Sequence, residues 1–294
     1  MSLEFEPITL DRQSDYNRLF DRCSPKPSDY SFINIWGWAP IYGLKWAWEK
    51  ERVWIRQEKP EPAFWAPVGF WQDEEDWQAI LSNSVSGPTT FVRTPETLQG
   101  IWKNQLGNRI TLQETRGHWD YLYSVDELKE LKGNRYHKKK NLLNQFINNY
   151  PYEYKAMGPD VLDRARSMQA DWCVWRDCES HDALSGENQV IEAIFNHWND
   201  LDGVMGGALL VGETLVAYTV AEMLDPHTIV IHFEKGNPDY KGVYQAINQV
   251  FLSQASPEIT WVNREQDLED EGLRKSKMSY HPKSFLKKDR IVFQ

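Results

Sequence analysis

The sequence is poor in cysteine, in positive charge and in long apolar runs, and each shortage excludes a class of protein. Its 294 residues include 3 cysteines, Cys23, Cys173 and Cys178. So odd and sparse a set builds no disulfide framework, and the expected compartment is reducing, hence cytoplasmic. Lys and Arg number 33 against 43 Asp and Glu, a formal net charge of −10. A surface of that sign does not coat duplex nucleic acid, because neutralising phosphates takes clustered cations; a local basic patch is still allowed. The longest uncharged aromatic stretch, Tyr30 to Leu44, contains Asn34 and Pro40 and falls short of the roughly 20 apolar residues of a spanning helix. Met1 to Leu10 carries Glu4 and Glu6 with no basic-then-apolar order, so no secretory leader and no transmembrane segment are expected. Short-period repeats, a Walker loop, a Gly-x-Ser-x-Gly elbow, a zincin helix and a Rossmann fingerprint are missing as well. Cys173, Cys178 and His181 offer three soft ligands at irregular spacing with no second pair, so no metal is expected and the two cysteines read as structural.

What is present is aromatic and apolar. Hydrophobic residues make up 41% of the chain, with 14 Trp, 13 Tyr and 12 Phe, enough for two packed cores at about 150 residues each. Trp36, Trp38, Trp46 and Trp48 read as core residues, with an aromatic binding wall as the alternative. The expected organisation is two domains, residues 1–131 and 132–294. In the first, helices are expected over Asp11 to Arg22, Asp76 to Leu81 and Pro95 to Leu106. Strands are expected at Trp46 to Trp48, Val53 to Gln57, Ala63 to Val68, Ile110 to Gln113 and Trp119 to Tyr123. Ser124-Val125-Asp126-Glu127 matches a capping box and starts a short helix. A second helix, Arg135 to Asn149, puts Leu142, Leu143, Phe146 and Ile147 on one face.

The second half is patterned more sharply. Helices over Val161 to Trp175 and Asn188 to Asn199 precede two β-rich runs, Gly207 to Val211 and Leu215 to Met223. Gly212-Glu213 between them signals a tight type II′ hairpin. Asp225-Pro226-His227 turns the chain into a third strand, Thr228 to Glu234. A helix from Tyr240 to Gln254, a strand Ile259 to Val262, a helix near Asp267 to Met278 and a strand Phe285 to Phe293 follow. Three antiparallel strands, a helix, a strand, a helix and a last strand is the order of a GNAT acyltransferase domain, with a weaker echo in the first half. The fold class expected is therefore α+β: tandem GNAT-like domains, each a mixed, mostly antiparallel sheet flanked by helices.

The densest polar segment runs Trp261-Val262-Asn263-Arg264-Glu265-Gln266-Asp267-Leu268 and continues through Glu271-Gly272-Leu273-Arg274-Lys275-Ser276-Lys277-Met278-Ser279-Tyr280-His281-Pro282. A rigid apolar strand that ends in charged side chains is how a sheet presents a site at its edge. Asn263, Arg264, Glu265 and Asp267 are candidates for that edge. Arg274, Lys275 and Lys277, with Tyr280 close by, are candidates for holding phosphate or carboxylate. A second basic cluster around Lys132, Arg135, His137, Lys138, Lys139 and Lys140 adds Lys138 and Lys139 as carrier-binding candidates. Solvated helix faces are the alternative for both clusters. His232 and Glu234 alternate on the third strand. Glu234 is the candidate base for an attacking amine, competing with Asp267 and Glu265; His232, a candidate for substrate or carrier binding, could take the proton near neutral pH, and direct attack with no protein base is a further alternative. The plainer reading makes His232 a packed core histidine and Glu234 an ion-pair partner of Arg264 or Arg274.

Lys275, Lys277, Met278, Pro282, Phe285 and Leu286 match a Lys-x-Lys, Met, Pro, aromatic-Leu signature. Through it the chain resembles soluble proteins related to the C-terminal catalytic domain of phosphatidylglycerol lysyltransferases, most strongly from Asn263 to Leu286. The resemblance implies a tandem GNAT-like fold, as in the Fem peptidyltransferases. It also implies transfer of an acyl or aminoacyl group from a phosphorylated carrier to an amine or hydroxyl. In the lysyltransferases the carrier is a charged transfer RNA and the acceptor is a lipid glycerol. Their multi-helix membrane portion has no counterpart here. The implied co-substrate is aminoacyl-tRNA or acyl-CoA, with no tightly bound cofactor. The implied partners are a small-molecule or lipid-headgroup acceptor and transfer RNA.

A CoA-dependent acetyltransferase carries a Gln/Arg-x-x-Gly-x-Gly/Ala turn at a helix start, where small residues let backbone N–H groups approach pyrophosphate. Here the stretch reads Asn237-Pro238-Asp239-Tyr240-Lys241-Gly242-Val243-Tyr244. Gly242 is kept, Asp239 has the wrong charge and Tyr244 the wrong size. Two functions therefore stand: an acyl- or aminoacyl-transferase, and a GNAT-like protein that binds a small anionic metabolite without transfer.

Overall fold

The computed structural model describes residues 3–71 and 75–294, and it divides into two compact units. One comprises Met1–Tyr121, Glu265–Arg274 and Phe285–Gln294; the other comprises Leu122–Arg264 and Lys275–Ser284. The expected single cut after residue 131 is corrected on two counts. It falls ten residues earlier, and the chain returns twice to the first unit. The cause is strand pairing: the last strand completes the first unit's sheet, whereas the strand after residue 119 joins the second unit's sheet.

The first unit contains β1 (Glu6–Pro7), α1 (Gln13–Phe20), α2 (Phe32–Gly37), α3 (Ala39–Tyr42), β2 (Lys45–Glu49), β3 (Arg52–Gln57), β4 (Ala63–Trp65), β5 (Val68–Gly69), α4 (Trp77–Ser84), β6 (Thr89–Pro95), α5 (Glu96–Leu106) and β7 (Ile110–Gln113). After β7 the chain runs through β8 (Asp120–Ser124), α6 (Val125–Glu130), α7 (His137–Asn149), β9 (Tyr152–Ala156), α8 (Pro159–Arg176), α9 (Asp182–Asn196), β10 (Met205–Val211), β11 (Thr214–Asp225), β12 (Thr228–Gly236), α10 (Val243–Ser253), β13 (Trp261–Asn263), α11 (Glu271–Met278) and β14 (Ser284–Leu286), and ends in β15 (Lys288–Phe293).

In the first unit the strand order is β1-β2-β3-β4-β6-β15-β7, with β5 also on β3. The expected strand Ala63 to Val68 is broken into β4 and β5, since Pro67 lacks the N–H that a continuous ladder needs. Asn34 and Pro40 lie in α2 and α3. The core is aromatic: Trp46, Trp54, Trp77 and Trp102 are fully buried, and Trp48 meets Trp46 edge-on with ring centroids 5.1 Å apart. Each such ring removes well over 100 Å² of apolar surface from water. One buried charge cluster fastens β15. Lys288 Nζ bonds Asp29 and Asp120, the latter at 2.5 Å, and Arg93 Nε bonds Asp29 at 2.9 Å. Breaking one partner of such a pair would leave an uncompensated buried charge.

The second unit's sheet has the order β14-β8-β13-β12-β11-β10-β9. β10, β11 and β12 pair antiparallel, and Gly212 at φ +60 makes the first turn, as expected. α10 then carries the chain over to β13, which lies parallel to β12. This is the anticipated GNAT order. β9 was not anticipated, its Tyr-Glu-Tyr-Lys-Ala run being neither strongly apolar nor bounded by a two-residue turn. The expected last strand, Phe285 to Phe293, divides into β14 and β15 on different sheets. Ser124 caps α6, its Oγ accepting from Glu127 N at 3.4 Å. Glu127 turns outward to Arg135 and Lys283 rather than closing the box.

The cysteine expectation is corrected here: Cys173 and Cys178 form a disulfide, and Cys23 is free and buried. Asp177, in the left-handed region at φ +50, ends α8 and folds the chain back. The two Cα atoms are thereby 5.0 Å apart, within disulfide range. Among the described residues no helix is long and apolar enough to cross a membrane.

Candidate functional site

The pairing of β12 with β13 runs Thr228↔Trp261, Ile229↔Val262 and Val230↔Asn263, and stops there. β12 continues to Gly236 with its β13 side unpaired, so the two parallel strands part just where the polar segment begins. A register shift against β11 between Val220 and Ala221, opposite Phe233 and Ile231, leaves His232 as the extra residue of a β-bulge. His232 Nε2 sits 2.9 Å from Glu222 Oε1, both buried. It is therefore turned to β11 and packed, in line with the plainer of its two readings.

Glu234 and Arg264 span the opening. Arg264 Nη2 donates to Glu234 Oε1 at 3.0 Å, and Asn248 Nδ2 of α10 donates to Oε2 at 3.0 Å. Both carboxylate oxygens are thus engaged, and Arg264 rather than Arg274 is the partner. Burial works against the guanidinium's charge, but Glu234 beside it raises its pKa above the usual value. Arg264 Nη1 is buried and has no hydrogen-bond partner among the described residues. Tyr280, 4% exposed, lies next to this pair with its ring centroid 4.9 Å from the guanidinium carbon. Gln245 Nε2 of α10 donates to the Tyr280 hydroxyl at 3.1 Å. Lys139 of α7 places its ammonium 4.0 Å from the same ring. Burial, then Arg264, lower the Lys139 pKa to about 8, against a pull upward from Glu234. Lys277 Nζ donates to the Arg264 carbonyl at 2.5 Å. Glu234, Arg264, Tyr280, Lys139 and Lys277 therefore form one cluster in the second unit. Gln245 and Asn248 were missed by the sequence reading. Their signal was there, as amides spaced i, i+3 in a largely apolar helix.

The remaining candidates lie elsewhere. Asn263 is fully buried at the end of β13. Lys138 and Lys275 are exposed. Glu265, Asp267 and Arg274 belong to the first unit. There Glu265 accepts from Asn34 Nδ2 at 2.8 Å, and its carbonyl accepts from Tyr121 N at 3.1 Å. Arg274 clasps Asp267 with two bonds, Nε to Oδ2 and Nη2 to Oδ1, each 2.8 Å. Tyr121 donates to Oδ2 at 2.6 Å and Glu269 N to Oδ1 at 2.9 Å. Burial opposes the Asp267 charge, yet these donors, Arg274 foremost, hold its pKa down to about 2. Asp267 is thus a saturated anion that ties the loop before α11, in which Glu265, Leu268 and Glu269 all adopt positive φ.

At the start of α10, Gly242 has φ +88, and a Cβ there would lie 2.0 Å from the Leu142 carbonyl oxygen and 3.3 Å from Phe146 Cβ. The glycine is required because the α7 backbone presses on it. α7 therefore packs against the start of α10, the place where a GNAT helix would receive pyrophosphate. Tyr244 is spoken for as well, its hydroxyl accepting from Trp172 Nε1 at 3.2 Å. Among the described residues no group of three or more His, Cys, Asp or Glu is arranged to hold a metal.

With this geometry in view, the chain can be set beside known proteins. It is 25% identical over 206 residues to an uncharacterized protein of Mycoplasmoides gallisepticum, a match covering 66% of this chain and 65% of that protein, so the chain spans less than two thirds of that relative's length. A conserved protein of unknown function from Bacteroides thetaiotaomicron superposes with a TM-score of 0.89 at 25% identity, over 99% of this chain and all of that one. The C-terminal domain of a putative lysylphosphatidylglycerol synthetase from Agrobacterium fabrum gives 0.63 at 12% identity, covering 96% and 91%. FemX gives 0.64 at 7% identity, covering 99% and 97%, which shows a shared fold. The two sheets are thus of the tandem GNAT and Fem-like kind, as the strand order implied. The model of the phosphatidylglycerol lysyltransferase C-terminal family matches residues 20–288, nearly the whole chain, and this protein belongs to that family.

Proposed function

We propose that the protein is an aminoacyltransferase that moves an aminoacyl group from a charged transfer RNA to an amine or hydroxyl acceptor. Family membership and the Fem-like fold support acyl transfer. The observation that carries the choice of donor is the Leu142 carbonyl seated against Gly242. A CoA pyrophosphate needs room at the N–H groups of that helix start, and α7 is packed against it. An aminoacyl ester makes no such demand.

In the proposed reaction the acceptor nitrogen or oxygen attacks the ester carbonyl, and a new amide or ester bond forms. The bond to the terminal ribose oxygen breaks, and that oxygen takes the proton the acceptor gives up. Glu234, with both oxygens bonded, serves to hold Arg264 in place rather than to take the proton. Catalysis then rests on positioning and on N–H donors of the unpaired edge of β12 facing the developing oxyanion. The same saturation of Glu234 favours one second reading, a binding protein that keeps the fold without transfer.

Thermal midpoints test the donor. A transfer RNA whose amino acid is held by a stable 3′-amide should raise the midpoint more than the uncharged RNA, and CoA and acetyl-CoA should leave it unmoved, since only a native-state ligand shifts it by mass action. A CoA shift equal to or larger than that of the charged RNA would overturn the assignment.

A further inference from the structure

The Cys173–Cys178 bond encloses four residues, Val174-Trp175-Arg176-Asp177, at the end of α8. A staple across so short a loop constrains the unfolded chain little. The turn is also made without it, since Asp177 N donates to the Cys173 and Val174 carbonyls. What the loop touches lies inward. Gln169 Nε2 donates to Cys173 Sγ at 3.8 Å, and Gln169, fully buried, also donates to Asn188 Oδ1 of α9 at 2.8 Å and accepts from the Tyr218 hydroxyl of β11 at 2.6 Å. Arg176, inside the loop, has its guanidinium carbon 5.7 Å from the centroid of the buried Trp172 ring. Lys235 Nζ of β12 lies 3.8 Å from the same ring, and Trp172 Nε1 donates to the Tyr244 hydroxyl of α10 at 3.2 Å. Lys235 follows Glu234 in the chain and Tyr244 precedes Gln245. The loop's contacts therefore end one residue from the Glu234–Arg264 pair on β12 and one residue from the Gln245–Tyr280 bond on α10. Burial lowers the Lys235 pKa; Glu187 opposes that and Arg176 adds to it. Val174 and Trp175 are exposed and Cys173 is half-buried, so the loop faces solvent, from which a thiolate must attack.

We propose that the Cys173–Cys178 bond is a reversible redox switch on transfer, acting on β12 and α10 through Trp172 and Gln169. In the bonded form the loop keeps Arg176 on Trp172, and Trp172 keeps Lys235 and Tyr244 in place beside the site. On reduction, two molecules of a small thiol such as glutathione supply two electrons and two protons. The S–S bond breaks, one S–H bond forms on each of Cys173 and Cys178, and the small thiols leave joined as their own disulfide. The freed loop releases Arg176 from Trp172, and the side of the site held through Lys235 and Tyr244 loosens. The switch regulates the proposed transferase and rests on that reading for its consequence. Its mechanical part is measurable without any transfer.

The whole chain is equilibrated over a series of reduced-to-oxidised glutathione ratios, trapped by alkylation and weighed by mass spectrometry. Chains from the two ends of the series are compared by amide hydrogen exchange, which reports local opening, and by transfer from charged RNA. The bond should open within the series. Exchange over residues 230–248 should then quicken while residues 45–57 of the first unit keep theirs, and kcat/KM should fall about tenfold, a middling value for coupling between two sites. Reoxidation should restore both, and the double variant Cys173→Ser with Cys178→Ser should match the reduced chain with no thiol present. A bond that persists at every ratio, unchanged exchange, or an equal transfer rate in the two states would overturn the proposal. Quickened exchange in a chain that transfers in neither state would count against the transferase reading alone. Equal transfer in both states would leave that reading standing and remove the switch.

Discussion

Arg264 gives one arm of its guanidinium to Glu234, Nη2 to Oε1 at 3.0 Å, and keeps the other arm, Nη1, buried with no acceptor among the described residues. The pair sits where β12 and β13 stop hydrogen bonding, and the carboxylate that sequence alone offers as a base has both oxygens engaged, which is why we propose it as a fixed anchor. Glu234→Gln should therefore lower the thermal midpoint and the transfer rate together, while the pH dependence of transfer keeps its shape. A general base would show itself otherwise: the acidic limb of the pH–rate profile would disappear in the variant.

The Lys139 pKa of about 8 gives a second expectation. Its charged form faces Arg264, Glu234 and the Tyr280 ring. The native state holds this proton less tightly than the unfolded chain, whose lysine titrates near 10.4. Stability from this group therefore rises with pH between about 8 and about 10.4, as proton binding to the unfolded chain is lost. Chemical denaturation of wild type and Lys139→Met across that range checks it, the variant showing the smaller rise.

Asp267 predicts behaviour in acid. Its native pKa of about 2 lies below the unfolded value of about 3.9, so its contribution is present above about pH 4 and is lost as pH falls through about 2. Asp267→Asn should be less stable than wild type at pH 7, and the gap should close toward pH 2. Urea midpoints at several pH values measure it. A gap that stays constant would contradict the clasp by Arg274.

Gly242→Ala should cost about 3 kcal/mol, the sum of backbone strain and overpacking, because its Cβ meets the Leu142 carbonyl at 2.0 Å. A neutral substitution in an equilibrium denaturation experiment would mean that α7 does not press on α10, and the argument against CoA would fall with it.

The Cys173–Cys178 bond leaves one thiol, so the chain denatured without reductant should titrate one thiol by Ellman's reagent and three after reduction. Cys178→Ser should lose about 2 kcal/mol on the loop-entropy scale for so short a loop.

The legible parts of the sequence were those where local chemistry decides alone. Gly212-Glu213 forces a tight turn, Ser124 caps a helix, and the run from Thr228 to Val262 reads as strand, helix, strand. β6 and β9 escaped because their stability comes from neighbours remote in sequence, β15 for one and β10 for the other. The division of the chain escaped for the same reason, since a strand's sheet is chosen by long-range pairing. At the site, Glu234, Arg264, Tyr280, Lys139 and Lys277 were all named from their residue types and order. The amides Gln245 and Asn248 were not, being quiet residues that matter only because β12 lies across from them. The clasp of Asp267 by Arg274 spans only seven positions, yet the polar segment gave no reason to pair those two rather than Glu234 with Arg274.

The central claim is the donor. A single-turnover assay with aminoacyl-tRNA labelled in the amino acid, acetyl-CoA labelled in the acetyl group, and a mixed pool of amine and hydroxyl acceptors decides it. The account predicts label in an acceptor from the RNA and none from acetyl-CoA, with transfer reduced in Glu234→Gln and in Tyr280→Phe. Label carried from acetyl-CoA, with the aminoacyl ester left intact, would contradict it.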